Sequence, residues 1–308
     1  MSNIKIVTDS TAYLPPDLIA KYDIQVVPAR IHFGTVSYME GVNITNEQFW
    51  RRLSHASKLP TTSQPSMGDL FEVYSELARR GHPILSIHVS SKLSGTVSSA
   101  LAARSQLPNA QIHVIDSLST VMGLGMITLA AARAVKLGHS LPEIKMRVAE
   151  LIQRMNVLFV VDNLNYLYKG GRIGGASALV GSLLNIKPIL YLVDGRIDVL
   201  AKARMRARAL RRLLELMEER LPMGTPAHVA VMHAQAAEEA LVLEKEIRSR
   251  FNCAEFHFRE IGPSIGTHLG PGAVVLAFYS EQGPVRLPLL ENYRLEGTNK
   301  ALTTLAMT

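Results

Sequence analysis

Two hydroxyl-rich turns hold the residue types best suited to chemistry: Pro60-Thr61-Thr62-Ser63-Gln64-Pro65-Ser66 and Ser90-Ser91-Lys92-Leu93-Ser94-Gly95-Thr96. Each sits directly ahead of an apolar-periodic helical stretch. The first amides of a helix lack intrahelical partners and carry partial positive charge, so hydroxyls beside them make a place for an anion. Two such turns in one domain suggest a small acidic headgroup held by hydrogen bonds. The same residues also read as ordinary N-caps, since Ser and Thr satisfy those amides unaided.

Other candidates are weaker taken singly. The glycines of residues 170–175 invite a phosphate-loop reading, but the segment matches neither G-x-x-x-x-G-K-[ST] nor G-x-G-x-x-G. It reads as a structural turn, with Arg172 as the residue able to do more. Residues 266–272 place His268 in a glycine-rich loop, where an imidazole at a cleft can donate a hydrogen bond or a proton. Asp9 and Asp116 end strand patterns and precede Ser, which fits turn capping better than catalysis. No H-E-x-x-H spacing points to zinc. Ser94 lies in Lys92-Leu93-Ser94-Gly95-Thr96 rather than G-x-S-x-G, so no Ser-His-Asp set is read and no catalytic residue is assigned.

These residues need elements to hold them. Residues 4–10, 83–89 and 111–117 read as short strands, each followed by polar residues. Thr45 and Gln48 fit a capping box, and a helix capped by Ser66 closes at Gly81. Alternating strands and helices argue for a parallel sheet covered on both faces, with ligands at the carboxyl ends of its strands. The Ser94 turn lies at such an end. After about residue 157 come further strand candidates at 157–161, 188–193, 228–233, 254–260 and 273–279, with helices at about 204–220 and 236–250. The expectation is a two-domain α/β chain: residues 1–157 with a three-layer α/β/α parallel sheet, then 158–280 with a mixed sheet and helices. Residues 281–308 lack periodicity and read as a tail.

Composition narrows the class. The 308 residues are 47% hydrophobic and 19% charged, which describes a globular chain with a sizeable core. No apolar run reaches the roughly 20 residues of a membrane span. The N-terminus lacks signal-peptide form, and the single Cys253 excludes an internal disulfide, so the expected location is the cytoplasm. Much of the net charge of +7 lies in residues 202–212, where six of eleven are basic. Only 6% of residues are aromatic, which weakens a single-strand-binding reading. A solvated basic helix face, or a docking surface for an acidic partner, fits better.

Val7-Thr8-Asp9-Ser10, Pro60-Thr61-Thr62-Ser63-Gln64-Pro65, the Ser90–Thr96 turn, Gly171-Arg172-Ile173 and Gly270-Pro271-Gly272 occur in this order. The set resembles the DegV family of bacterial fatty-acid-binding proteins over roughly residues 3–280. That resemblance implies two α/β domains with one long-chain fatty acid between them and no cofactor. It also implies a carrier without independent catalysis, the binding subunit of a fatty acid kinase. A separate kinase subunit would make the acyl phosphate and a downstream acyltransferase would consume it, in phospholipid metabolism. Carried over, Thr62, Ser94 and the Gly95 amide hold the carboxylate and His268 lies close to it. Thr61 and Ser63 are adjacent alternatives, and Arg172 and Arg204 face the kinase or the phosphorylated headgroup. The basic run at 202–212 then meets an acidic kinase surface, or briefly an anionic membrane. Small residues at Ser98, Ser99, Ala102, Ala103, Gly123 and Gly125 would leave room for the tail. Two competing readings are an enzyme for a small phosphorylated or carboxylated substrate, with His268 or Asp116 as acid or base, and a nucleic-acid regulator using residues 202–212.

Overall fold

The computed structural model of the chain describes residues 4–179 and 186–282. Its elements run β1 (Lys5–Asp9), α1 (Pro16–Tyr22), β2 (Gln25–Val27), β3 (Arg30–Phe33), β4 (Val36–Met39), α2 (Asn46–His55) and β5 (Thr61–Ser63). There follow α3 (Met67–Arg79), β6 (Ile84–His88), α4 (Thr96–Ser105), β7 (Ile112–Asp116), α5 (Val121–Lys136) and α6 (Leu141–Arg154). The later elements are β8 (Asn156–Val160), α7 (Asn165–Lys169), β9 (Lys187–Val193), β10 (Arg196–Ala203) and α8 (Arg206–Arg220). Last come β11 (Ala227–His233), α9 (Ala237–Arg250), β12 (Cys253–Glu260), α10 (Pro263–Leu269) and β13 (Val274–Tyr279).

The first sheet is wholly parallel, in the order β2-β1-β6-β7. Its central strand β6 is buried at all five residues, as a strand covered on both faces must be. Leu70, Tyr74 and Leu77 of α3, with Ala100 and Ala103 of α4, pack on one face against Val7 and Ile84. The opposite face meets α5. A second sheet, β10-β9-β8-β13-β11-β12, is mixed: β11 and β12 run parallel and the other pairs antiparallel. Helices α8 and α9 bury Leu213, Met217, Leu243 and Ile247 on one of its faces. The chain thus has the two α/β units that its alternating pattern predicts.

Helix α5 joins the two sheets. Its residues from Val121 to Ala132 are all buried, the pattern of a helix apolar on every side. Close approach explains its glycines. A Cβ on Gly123 would lie 2.4 Å from Ser119 Oγ and 2.7 Å from Val157, and one on Gly125 would lie 2.5 Å from the Ala12 carbonyl. These glycines therefore serve helix packing rather than ligand space. Likewise Ala103 packs on the buried face of α4, while Ser98 and Ala102 face solvent.

Three expectations need correction. Residues 61–63 are not a loop before a helix. They form β5, the edge of a small antiparallel sheet β4-β3-β5 in which Thr62 pairs with Ile31. Ser66 alone caps α3, accepting from the Asp69 amide at 3.0 Å. Second, His268 lies on a helix, α10, rather than in a loop. The helix begins at Pro263, whose missing N–H costs nothing at a first helical position, and stops at Gly270 with φ 69°. Third, β10 extends the strand expected at 188–193 into a hairpin. Of the tail expected over 281–308, residues 283–308 lie outside the described residues; Glu281 pairs with Arg147 at 2.5 Å. Among the described residues no helix is long and apolar enough to cross a membrane.

Candidate functional site

The turn after β6 is built on Ser90. Its carbonyl accepts from the Leu93 and Ser94 amides, at 2.9 and 3.0 Å, which folds residues 90–94 into a tight loop. Its buried hydroxyl donates to the Gly195 carbonyl at 2.8 Å, tying the β9–β10 hairpin to the first sheet. Asp116 accepts from the Ser91 and Leu118 amides, as its turn-capping reading predicts. Ser94 Oγ and Thr96 Oγ1 stand 2.9 Å apart at the start of α4. Gly95 is the helix N-cap, and a Cβ there would come within 2.7 Å of the Gln64 side chain. The two hydroxyl-rich segments therefore touch.

Helix α10 approaches from the other half of the chain. His268 Nε2 lies 2.7 Å from Thr62 Oγ1, while Nδ1 has no protein partner. The ring rests against Gly170, where a Cβ would lie 2.3 Å from Nδ1. Burial, then the nearby Arg172 charge, depresses the His268 pKa to about 4, so the imidazole is neutral at physiological pH. Arg172 follows Gly171, which sits at φ 68° and turns the chain back. Its guanidinium donates from Nε to the Leu93 carbonyl at 3.0 Å and from Nη1 to the Gly170 carbonyl at 2.6 Å. These bonds lock the 170–172 turn onto the Ser94 turn.

Around this cluster lies a cavity enclosing about 780 Å³, its open mouth included. Thr62, Ser63, Gln64, Ser94, Thr96, His268 and Arg172 all line it. The remaining wall is mostly apolar: Val89, Leu93 and Val121 from the first unit, and Val157, Phe159, Leu192, Ile197 and Val275 from the second sheet. Arg172 is the sole formal charge among the described lining residues, given a neutral His268. A cavity with an apolar wall, a hydroxyl cluster and one cation suits an amphiphilic anion.

The structure thus brings Thr62, Ser94, His268, Arg172 and Ser63 to one space. Ser63 also pairs with His32 Nε2 at 2.9 Å. Thr61 is exposed and does not line the cavity. Gly95 stands beside the cluster, against Gln64. Arg204 is exposed just past β10, off the cavity wall. The basic run around it is partly ion-paired within the chain, Arg206 with Glu239 and Asp162, and Arg212 with Glu219.

A second constellation escaped the sequence. Ser86 Oγ lies 2.7 Å from His88 Nε2, and His88 Nδ1 lies 3.1 Å from Asp9 Oδ2. The order and spacing match a Ser-His-Asp triad, but His88, Asp9 and Ser86 are all sealed in the sheet. Tyr74 donates to Ser86 at 2.7 Å, and the Val89 amide donates to Asp9 at 3.0 Å. Against the cost of burial, bonds from His88 and Thr11 hold the Asp9 carboxyl below its ordinary range. With no opening to substrate, this is an internal brace. The apolar wall residues were also missed, because nothing local marks a core residue as facing a cavity.

The family model described as "Uncharacterised protein, DegV family" matches residues 3–281. The protein DegV of Bacillus subtilis is 38% identical over 273 residues, 88% of this chain and 97% of its own length. A DegV domain-containing protein of Halalkalibacterium halodurans is 40% identical over 283 residues, 92% of this chain and all of its own. Among solved structures, a DegV family protein of Thermus thermophilus described for its fatty acid binding superposes with a TM-score of 0.86 at 33% identity, covering 90% of this chain and 99% of that one. The Bacillus subtilis DegV crystal structure, described as a fatty acid binding protein, gives 0.83 at 35% identity, covering 91% and 100%. A stearic acid-binding protein of Eubacterium ventriosum gives 0.82 at 26% identity, covering 91% and 98%.

Proposed function

The chain belongs to the DegV family, and from that premise we propose that it binds one long-chain fatty acid with its carboxylate at the Thr62–Ser94 end of the cavity. The observation that carries this reading is the cavity's division: hydroxyls and one guanidinium in a wall that is otherwise largely apolar. A fatty acid needs few polar contacts and much buried surface. Each buried methylene contributes about 0.8 kcal/mol, so about 14 of them supply roughly 11 kcal/mol before ordering costs. The carboxylate must then be hydrogen-bonded, since burying it unpaired is costly.

His268 has a defined part in this. As the neutral Nε2–H tautomer it donates to Thr62 Oγ1, which turns the Thr62 hydroxyl hydrogen outward toward a carboxylate. Ser94 and the Gly95 amide donate from the opposite side, and Arg172 supplies the counter-charge. Thr61 has no place in this set; Ser63 flanks it.

On this reading the chain is a carrier. It presents the carboxylate to a separate fatty acid kinase, which forms the acyl phosphate for a downstream acyltransferase. The lipid-binding unit ends just before β8, close to the boundary expected at residue 157, and the closing unit runs from β8 to about residue 280. The exposed cations of residues 202–212, Arg204 foremost, form the surface that meets the kinase or, during ligand exchange, an anionic membrane. Titration with the fluorescent fatty acid cis-parinaric acid tests the binding step. Saturation at one equivalent, lost in the Thr62→Val, Ser94→Ala double variant, supports it; no binding by the wild-type chain refutes it.

A further inference from the structure

Helix α10, which carries His268, has no cap of its own. Its N-cap residue is Gly262, without a side chain, and Pro263 follows. The missing acceptors come from the far end of the sequence. Glu40 Oε1, at the end of β4, accepts from the Ser264 amide at 2.8 Å. Tyr13 Oη accepts from the Ile265 amide at 3.1 Å and donates to Glu40 Oε1 at 3.1 Å. Ser10 donates to Glu40 Oε2 at 2.5 Å. Gly262 must be glycine here, since a Cβ would fall 2.5 Å from the Tyr13 ring and 2.8 Å from Glu40 Oε1. Tyr13 is held at φ 49°, a conformation that bulky residues rarely adopt without a reason.

We propose that Glu40 is a positioning residue for the ligand site, clasping α10 to the first unit and thereby setting how readily the His268 wall moves. Ser264, Ile265, His268 and Leu269 of that helix all line the cavity. The consequence for ligand exchange rests on the fatty-acid reading above, whereas the clasp itself does not.

The clasp is built from a buried carboxyl, and this gives it a direction with pH. Glu40 is buried, which raises its pKa to about 6 despite bonds from Ser10, Ser264 and Tyr13. The titratable groups facing it are Tyr13, and Asp9 at the end of β1, whose negative charge raises it further. From α10 it meets backbone amides. With α10 displaced, Glu40 meets water and regains an ordinary pKa near 4.5. Protonation between these values therefore favours the closed clasp, and ionisation above about 6 loosens it. The bias amounts to on the order of tenfold in the opening equilibrium.

The full-length chain and its Glu40→Gln and Glu40→Ala variants would be compared by two measurements. Hydrogen-exchange protection of the Ser264 and Ile265 amides, divided by intrinsic rates, reads the clasp from pH 5 to 8. Release of bound cis-parinaric acid to excess oleate reads its consequence. Because the buried neutral His268 rides on the same helix and favours opening at acid pH in every variant, the Glu40 contribution is read as the ratio of wild-type to Glu40→Gln opening, which should rise roughly tenfold from pH 5 to pH 7.5. Glu40→Gln keeps an acceptor for Ser264 and a donor for Ser10, so it should hold the clasp as protonated Glu40 does and keep only the pH dependence that His268 supplies. Glu40→Ala should be open throughout. A wild-type profile in Glu40→Gln, or protection unchanged in both variants, overturns the proposal. If wild type binds no cis-parinaric acid the fatty-acid reading fails, and amide protection still decides the clasp.

Discussion

The Thr62 hydroxyl oxygen and His268 Nε2 stand 2.7 Å apart across 206 positions of sequence. One residue lies on an edge strand of the first half and the other on a helix of the second. Their contact is the point at which the two halves define a polar end for the cavity.

Removing hydroxyls from that end should weaken ligand retention without unfolding the chain. Thr62→Val and Ser94→Ala should each cost about 1–2 kcal/mol in binding, roughly tenfold in affinity. Fluorescence titration with cis-parinaric acid reads the loss, and equal affinity in the double variant would remove these hydroxyls from the account.

The His268 pKa falls from 6.5 to about 4 on folding, mainly through burial. Below pH 6.5 the unfolded chain takes up a proton that the folded chain refuses until about pH 4. Stability from this group is therefore complete above pH 6.5 and drains away toward pH 4, by up to about 3 kcal/mol. Thermal melts across this range should show a steeper acid loss in wild type than in His268→Gln. Parallel profiles would contradict the burial of a neutral imidazole.

Gly170→Ala should disturb the site through packing alone. Its new methyl would lie 2.3 Å from His268 Nδ1 and 3.0 Å from the Tyr166 carbonyl, so the ring must leave its present position beside Thr62. Weaker fatty-acid binding with little change in secondary structure is expected, by titration and circular dichroism. Wild-type affinity would show that the ring's position does not matter.

Arg172 and Arg204 should separate. Arg172 lines the cavity, so Arg172→Ala should lower fatty-acid affinity; Arg204 is exposed off its wall, so Arg204→Ala should not. With a fatty acid kinase supplied, Arg204→Ala should slow acyl phosphate formation. Equal loss of binding and phosphorylation in that variant would count against a partner-facing role.

Much of the frame was legible in the sequence because it rests on local signals. The capping boxes at Thr45 and Ser66 set two helix starts, and apolar runs at 83–89 and 228–233 marked buried strands. Strands β2 to β5 have only three or four residues each, too few for a period to emerge, so Thr62 reads as part of a turn. His268 reads as a loop residue because Gly266, Gly270 and Gly272 dominate its surroundings. Yet Gly266 is needed where the helix meets the Trp50 ring, 2.9 Å from where its Cβ would stand. The Ser86–His88–Asp9 brace and the Glu40 clasp were invisible for a further reason. Their partners lie far apart in sequence, and only the parallel pairing of β1 with β6 and the docking of α10 bring them together.

Native mass spectrometry of the purified chain, followed by solvent extraction of its ligand, decides whether this cavity holds one fatty acid. A mass increment of one fatty acid per chain is expected, with the extracted lipid reporting its own length. A chain that is empty as purified, and that gains no mass when incubated with palmitate, stearate or oleate, would contradict it.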